Sequence, residues 1–394
     1  MDIFLKRATE LGQDIEKLKK GETIDQVIKV DNIANLKLLL NGNTPANVSK
    51  TKPVSANKNA ITIAEKAHDY VFFDSPLTDG DLAQLKSIFP VSIRTISAQD
   101  KTLQPGEVWD LGTSTNPVVV NLGTLTMQPG SSIKIANTVL DMTVNTLVVN
   151  SGDSTNPYDM GIFGVKGITP PQVGPVKDAD NGAVGSSGTC GPGGGVPGDN
   201  GGTGGKGTTG YVGNTGYVGG NGLPSLTAII MLGNINGNFK ISTRSGDGGQ
   251  GGQGGVGGKG GTGGTGGKGA TCGCTNTNGG KGGNGGDSGN GGVGGKGGDA
   301  TDGNNIYVIV PKGQSGKIIQ IIGTANGGPG GPGGPAGSPG AKGVGGKGGG
   351  ASGCPTGSTG ANGDTGQNVG KTGNDGPAST KTGAPGTFHI IEEA

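Results

Sequence analysis

The sequence has 394 residues, enough for two or three domains, and a formal net charge of +1 from 30 basic and 29 acidic residues. This even balance does not favour a polyanionic partner such as a nucleic acid, and no run of about 18 apolar residues is available to span a membrane. Because 92 residues are glycine and only 3% are aromatic, the hydrophobic core must be small or divided among several places.

The first 42 residues are predicted to be a helical segment. An amphipathic helix over 3–20 is indicated by apolar residues spaced alternately four and three apart, namely Phe4, Ala8, Leu11, Ile15 and Leu18. This seam either packs on its own domain or joins copies of the chain in a short coiled coil. A capping box beginning at Thr23 predicts a second helix, or a pair of helices, ending at residues 41–42. Segment 1–42 is therefore expected to serve oligomerisation or attachment.

Residues 43–160 are predicted to form two parts: a small mixed region, 43–90, and a β-solenoid-like domain, 91–160. The mixed region has strand candidates at 60–64 and 70–73, and a short helix that opens with a capping box at Thr78. The solenoid-like domain shows period-two strands separated by turns, at 91–96, 122–127, 133–135, 139–144 and 147–149. A β-sandwich is the alternative for this domain.

Residues 161–386 are predicted to form a bundle of glycine-rich helices. Glycine fills two of every three positions at 248–269 and 279–298, apart from one slip at Asp287-Ser288. A three-residue period fits the extended left-handed helix with three residues per turn, known for glycine as polyglycine II, and its bare faces let neighbouring backbones meet. Such composition is also typical of disorder. The strict period favours an ordered bundle whose third residues all point outward.

Strand couplets at 226–242 and 306–322 separate the glycine runs. Each unit is thus a couplet followed by a glycine hairpin, and three hairpins supply six glycine helices with their tips at one end. Residues 387–394 are predicted to be a closing strand. The expected fold class is mainly β and non-regular, with a small helical N-terminus, a β-solenoid-like core and the six-helix bundle.

The four cysteines lie near the midpoints of the hairpins, at Cys190, Cys272, Cys274 and Cys354. Only the middle hairpin has two, which is what is needed to join it to both neighbours. We therefore predict that Cys190 and Cys354 each form a disulfide with one of the other two, since the one-residue spacing disfavours a bond between Cys272 and Cys274. Four free thiols and a zinc site are the alternatives, although the spacing is not a standard zinc pattern.

The sequence shows no catalytic constellation, and no cofactor or metal site is predicted. His68 and His389 lie in distant, unlike segments, and no serine or cysteine motif accompanies either of them. The many GxGxxG matches lie inside the glycine runs, without the strand-to-helix context that a dinucleotide site requires. A non-enzymatic protein is therefore expected.

Two places are candidates for binding a partner. Tyr211 and Tyr217 are six residues apart, so a three-residue period places both on one face, where tyrosines offer a large contact area at low entropic cost. The alternative is that they fill space against a neighbouring helix. The tip loops at 188–196, 271–278 and 352–358 are the second candidate, because irregular loops often carry function.

The G-G-X arms over 161–386 resemble two kinds of protein: the receptor-binding adhesins at the tips of phage long tail fibres, and the glycine-rich antifreeze protein of snow fleas. Both are stacked bundles of polyglycine II helices. Residues 30–40 are similar to a short helical segment that often precedes the β-helical body of phage tail fibres and tailspikes. The resemblance implies a surface-recognition or fibre protein of a virion, whose partner is a cell-surface receptor or a neighbouring fibre subunit.

A structural subunit of an extracellular filament is the second functional hypothesis, and ice binding is the third. Ice binding requires a largely uncharged face, which the lysines at third positions disfavour (Lys259, Lys268, Lys281 and Lys296). The first residues lack the charged and apolar regions of a signal peptide. The expected location is therefore a virion or the cell exterior, reached by lysis or by a dedicated secretion machine, without membrane insertion.

Overall fold

The structure is a computed structural model that describes residues 3–41, 63–113, 116–150, 157–193, 196 and 198–393. Within these residues the helices are α1 (Ile3–Glu10), α2 (Ile15–Lys19), α3 (Ile33–Asn41), α4 (Ile63–Phe73) and α5 (Asp79–Leu85). The strands are β1 (Ile24–Val30), β2 (Val91–Leu103), β3 (Val108–Asp110), β4 (Val118–Met127), β5 (Ser132–Ala136), β6 (Leu140–Val149), β7 (Met160–Phe163), β8 (Ala228–Asn236), β9 (Phe239–Arg244), β10 (Ile306–Pro311), β11 (Ile318–Gly323) and β12 (Phe388–Glu393).

The strands form two sheets that grow together along the chain. The seven-stranded sheet has the order β1-β2-β4-β6-β8-β10-β12, and the five-stranded sheet has the order β11-β9-β7-β5-β3. All neighbours pair in parallel except β1 and β2. Each passage of the chain from β2 onward thus adds one strand to the first sheet and, until β12, one to the second. This parallel winding favours solenoid coils over an antiparallel sandwich.

The main hydrophobic core lies between the two sheets. Apolar residues stack in register from one coil to the next, as in the row Val118, Leu140, Ala228, Ile306 and Phe388. The first four of these side chains are fully or almost fully buried. Stacked apolar rows of this kind are expected where both sheets bury one face, because each strand places alternate residues inward.

The outer face of the seven-stranded sheet is covered by helices. Val71 and Phe72 of α4 belong to a second buried cluster together with Ile229 and Tyr307 of the sheet. Polar contacts hold α1 on the same sheet: the Asn121 Nδ2 amide donates to the Phe4 carbonyl over 2.9 Å.

The N-terminal helix prediction is partly wrong. The chain turns at Gly12, whose φ of +66° suits glycine, and this turn divides the predicted helix into α1 and α2. The seam residues Phe4, Ala8 and Leu18 are buried in a small cluster within the chain. Their burial supports the alternative in which the seam packs on its own domain.

The helix predicted from Thr23 is also wrong, because residues 24–30 form strand β1. Ile24, Ile28 and Val30 point to the more buried side of β1, and the strand pairs antiparallel with β2, Ile24 lying opposite Ser97. A β-branched alternating segment gains more from this pairing than from a local capping box. The following helix, α3, does end at Asn41; Gly42 lies outside the described residues.

The strand candidate at 70–73 is wrong as well, since these residues end helix α4. Ala67 and Val71 are four residues apart and pack in the same cluster under the sheet, so helical spacing buries them together. Of the candidate at 60–64, only residues 63–64 are described, and they begin the same helix. The capping box at Thr78 is confirmed, with reciprocal hydrogen bonds between Thr78 and Asp81.

We expect the stability of the fold to fall between about pH 4 and pH 2 through Asp81. The hydrogen bond from Lys66, followed by those from Thr78, lowers the pKa of Asp81 from 3.8 to about 2. Because the folded pKa lies below the unfolded one, this stabilisation is present above pH 4 and is lost as the pH falls through 2. Asp81→Asn should therefore flatten the pH dependence of the free energy of unfolding, measured by urea denaturation. Asp79→Asn, at the same helix end, is the control, and equal slopes for wild type and Asp81→Asn would contradict the expectation.

Six glycine-rich segments join the strand couplets, and they are named here in chain order: g1 (164–188), g2 (198–222), g3 (246–269), g4 (278–300), g5 (326–349) and g6 (357–384). They have neither the hydrogen bonds of an α-helix nor those of a β-ladder. Instead, one or two residues of a triplet donate their N–H groups to carbonyls of neighbouring segments, and this pattern repeats every three residues. In g2, for example, Gly204 donates to the Lys281 carbonyl and Gly207 to the Asn284 carbonyl, over 2.8 and 2.9 Å.

The segments lie in two rows, g1-g3-g5 and g2-g4-g6, which run in opposite directions. Within a row, hydrogen-bonded residues are always about 80 positions apart in the sequence, as Gly182 and Thr262 are, so neighbouring segments are parallel. Between rows, the residue number rises along one segment as it falls along the other, as in Gly252 to Tyr217 and Gly255 to Asn214, so these neighbours are antiparallel. The central segments g3 and g4 each bond to four others, and the corner segments g1 and g6 to two. Glycine content follows this count: about two glycines in three residues at the centre and about one in four at the corners.

Third-position residues in g3 and g4 do not donate their N–H to the backbone in the described hydrogen bonds. Asparagine and aspartate side chains accept several of these N–H groups, for example Asn181 from Thr262 and Asn221 from Asp299. Proline also fits the third position of g5, as at Pro329, because no hydrogen bond is lost with its missing N–H. The free N–H groups at third positions therefore favour two kinds of residue: asparagine or aspartate on a neighbouring segment, which accepts the N–H, and proline at the position itself, which has none.

The slip at Asp287-Ser288 has a structural cause in g6. Gly366 and Gly370 are four residues apart instead of three, so this part of g6 has one more backbone N–H group than the regular repeat. The Asp287 carboxylate accepts from the N–H groups of Gln367 and Asn368, and Ser288 Oγ accepts from Gly370 over 2.6 Å. These hydrogen bonds hold the pKa of Asp287 below its ordinary value, with the Asn368 backbone as the largest cause.

Candidate functional site

The tips of the three hairpins are joined by two disulfides, Cys190–Cys272 and Cys274–Cys354, with Cα–Cα distances of 5.5 and 4.9 Å. The pairing agrees with the prediction that the middle hairpin bonds to both neighbours. Gly273 lies between the two central cysteines with a φ of +63°, a conformation that turns the chain sharply and suits glycine. No cysteine is free, so the alternatives of free thiols and of a zinc site are wrong.

The three tip loops are thus held together at one end of the segments. Besides the disulfides, Asn276 Nδ2 donates to the Pro355 carbonyl over 2.7 Å, and Cys190 Sγ lies 3.4 Å from the Thr271 carbonyl. Residues 194 and 195 of the first loop lie outside the described residues. The described parts form one cross-linked surface built from three separate stretches of sequence.

Tyr211 and Tyr217 lie on g2, on the side that faces g1. In the same frame, Gly202, Gly205 and Gly220 approach g1 closely: the N–H of Gly205 donates to the Ala183 carbonyl over 2.7 Å. Along the stretch that contains the tyrosines, the described hydrogen bonds between g1 and g2 are interrupted from residue 169 to residue 179 of g1. Tyr211, Asn214 and Tyr217, which stand where this line of g2 could have glycine, thus lie where g1 and g2 share no described hydrogen bond.

Both tyrosines are about half exposed, 50% for Tyr211 and 56% for Tyr217. Asn214 lies midway between them and is exposed, and Val212 and Val218 are exposed on the adjacent face of g2. The two tyrosine side chains are therefore neither buried in the bundle nor fully exposed to solvent. They lie beside the stretch in which g1 and g2 share no described hydrogen bond, and together with Asn214 they present aromatic and amide groups in one line.

The outer face of the row g2-g4-g6 is charged and strongly hydrogen-bonded. The Ser379 hydroxyl, the largest cause, lowers the pKa of Asp299, and Lys206 contributes to the lowered pKa of Asp287. Lys281 and Lys296 are exposed on this face. The other two lysines that disfavour ice binding, Lys259 and Lys268, are exposed on g3 in the opposite row. Both broad faces thus carry positive charge.

The histidines, which sequence reasoning placed far apart, belong to one chain of ring contacts. His68 is 5.5 Å from Phe73, Phe73 is 6.4 Å from Tyr307, and Tyr307 stacks on His389 at 4.9 Å. Burial lowers the pKa of His389 and raises that of Tyr307. Only pairing across the sheet brings these residues together, so no local signal could have predicted it. The cluster packs α4 on the sheet.

Within the described residues, no group of three or more His, Cys, Asp or Glu side chains is placed to hold a metal ion. A cleft of about 510 Å³ lies beside α1 and is lined by residues that include Arg7, Lys29 and Leu38. Arg7 is buried and bonds to Asp141 over 2.8 Å, so its charge already has a partner. No described helix is long and apolar enough to cross a membrane.

No protein-family model matches the chain, and a comparison with curated proteins finds no match. Among solved structures, a springtail antifreeze protein from Granisotoma rainieri, described as a bundle of nine polyproline type II helices, is similar at 25% sequence identity. The match covers 54% of this chain and 99% of that chain, with a TM-score of 0.07. A TM-score this low establishes no shared fold.

Proposed function

We propose that g1 to g6 are polyglycine II helices and that they form a rigid bundle on a β-solenoid base. The support is the repeat of three in the hydrogen bonds between segments, which matches three residues per turn. With a rise of about 3.1 Å per residue, a segment of about 25 residues is ~75 Å long.

We propose that this bundle serves non-enzymatic surface recognition and that the protein is a virion-associated receptor-binding protein. The observation that carries the proposal is the half-exposed pair Tyr211 and Tyr217, in the one line of g2 where side chains replace the glycines that pack on g1. A tyrosine at these positions replaces a glycine that would pack on g1. Half-exposed tyrosines are good anchors for a protein or glycan partner. Six residues of polyglycine II place the two rings ~19 Å apart.

The filament hypothesis, in which arms pack on arms of the next subunit, is less well supported. Close packing of further segments would require bare backbone on g1 and g6. In these corner segments about one residue in four is glycine, and most of these glycines already pack inward, as Gly182 does on Gly205 and Gly373 on Gly292. Side chains at the remaining positions close the bundle on both sides.

The two disulfides indicate an oxidising environment such as the cell exterior. A place in a virion fits this and is part of the proposal. Attachment to the particle is assigned to the N-terminal region, and any association of copies there must use surfaces other than the buried seam of Phe4, Ala8 and Leu18.

We expect Tyr211→Ser with Tyr217→Ser to weaken binding of the fluorescently labelled protein to intact bacterial cells by about tenfold or more, because central aromatic anchors carry much of an interface's binding energy. The cells are a panel with different surface structures, and the wild type is first used to find those that bind. Val369→Ser on g6, which replaces an apolar residue that is more exposed than either tyrosine, is the control and should bind as the wild type does.

The tip loops are tested separately, by replacing 271–278 with a glycine-serine loop that keeps both central cysteines. If the wild type binds no cell, or if neither the tyrosine variant nor the loop variant loses binding while both remain folded, the recognition proposal is wrong.

A further inference from the structure

Strand β11, at one edge of the five-stranded sheet, lacks the features that protect the other described sheet edges from pairing with a further strand. Four strands lie at sheet edges: β1, β12, β3 and β11. β1 carries Asp25 and Lys29, β12 carries Glu392 and Glu393, and β3 has only three residues. β11 has six residues, Ile-Ile-Gln-Ile-Ile-Gly, with no charge and no proline. Proteins normally protect such edges with charges, prolines or short strands, because unpaired edges recruit further strands.

The lysine that immediately precedes β11 in the sequence does not protect this edge. Lys317 precedes β11, and its ammonium group donates to the Ile235 carbonyl of β8. Gln314, in the same turn, accepts from the Ile235 N–H over 2.8 Å. The turn is thus fixed to the seven-stranded sheet, and β11 is held in place with its outer edge uncovered by the described residues.

The sequence of β11 reads the same in both directions about Gln320. Two antiparallel copies centred on this residue would place Ile318 opposite Ile322, Ile319 opposite Ile321, and Gln320 opposite Gln320. A two-fold interface requires such a self-complementary surface. A partner strand of any other sequence would need to supply the same pattern, whereas a second copy supplies it by symmetry.

The exposure of the side chains fits this pairing. Ile318 and Ile322 align with Phe239 and Thr243, which face the core, yet Ile322 is 53% exposed because no further coil covers it. On the other face, Ile319 is 38% exposed. In the two-fold arrangement Ile318 of the second copy covers Ile322, and Ile321 covers Ile319, so both exposed residues gain an aliphatic neighbour.

We propose that β11 is a homodimerisation edge, at which two copies of this chain join their five-stranded sheets antiparallel about Gln320. The two glycine bundles then leave from opposite ends of the paired strands, since g5 follows the C-terminal end of β11 in each copy. A six-residue edge buries less area than a standard stable interface, so the dimer is expected to be concentration-dependent.

Gln320→Cys in the otherwise native chain should form a disulfide-linked dimer under mild oxidation, seen on a non-reducing gel and located by peptide mapping. The two introduced thiols would lie directly opposite each other across the two-fold axis. Ile322→Cys is the matched control, because it is on the same strand and exposed, but its own copy lies about four residues away along the strands. We expect about tenfold less dimer from it.

Equal cross-linking at both positions, or none at position 320, would overturn the proposal. Sedimentation of the unmodified protein gives a second test that does not depend on how the cysteine variants fold. Its mass should rise toward that of a dimer over about a hundredfold concentration range, and Ile319→Lys should keep it monomeric. A monomer throughout for the unmodified protein contradicts the proposed edge.

Discussion

Gly263→Ala should destabilise the glycine segments by about 3 kcal/mol or more, since overpacking against backbone atoms cannot be relieved by a side-chain movement. A Cβ at this position would lie 2.0 Å from the Gly283 carbonyl oxygen of g4 and 2.8 Å from the Gly343 nitrogen of g5. The N–H of Gly263 also donates to the Ala341 carbonyl over 2.9 Å. The substitution would therefore force three segments apart and weaken hydrogen bonds between them.

Gly174→Ala is the matched control for this substitution. A Cβ at Gly174 would have no heavy atom within 4 Å, so the same chemical change should be neutral or slightly stabilising through the unfolded state. Thermal and urea denaturation of the two variants measure the difference. Equal stabilities would contradict a core made of closely packed backbone.

Removal of both tip disulfides should cost roughly 3–5 kcal/mol for each cross-link in the chain-entropy model. The bonds close loops with sequence separations of 82 and 80 residues. We expect the variant with all four cysteines replaced by serine to lose amide protection at the tips first, while the stacked strands β4 and β6 keep theirs. Their aliphatic core does not depend on the cross-links.

The two single-bond variants, Cys190→Ser with Cys272→Ser and Cys274→Ser with Cys354→Ser, separate the contributions. Each should loosen the hairpin that has lost its connection: the first hairpin in one case, the third in the other. If the sheets lose protection before the tips, or if the melting temperature is unchanged without the disulfides, the assigned role of the cross-links is wrong.

The elements that the sequence indicated best are those with a strict short period. The strands between 91 and 149 were predicted from period two: 91–96, 122–127 and 133–135 lie within β2, β4 and β5, whereas 139–144 and 147–149 are parts of the single strand β6, apart from residue 139. The glycine period, together with one cysteine in each outer hairpin and two in the middle one, predicted that each outer cysteine bonds to one of the central pair, and the structure shows which one. Both patterns are local, repeated and little affected by distant contacts.

The failures come from residues whose structure depends on distant partners. Thr23 opens a convincing capping box, yet the next seven residues pair with β2, more than sixty residues away. Similarly, residues 70–73 have strand-forming side chains but are helical, because α4 packs on the outer face of the sheet. For the candidate site, the six-residue spacing predicts that Tyr211 and Tyr217 share one face of g2. It could not show that the described hydrogen bonds between g1 and g2 are interrupted beside them.

Residue-resolved amide exchange in g3 and g4 tests most directly the claim that these segments are a bundle with a backbone core. Two glycines in each triplet donate to neighbouring segments, as Gly251 and Gly252 do to Pro329 and Tyr217, whereas the third residue points outward. We expect slow, slow, fast exchange repeated along each segment, with Thr262 slowed because Asn181 accepts its N–H. Uniformly fast exchange, or an alternating pattern of two, would contradict the bundle and with it the proposed recognition surface.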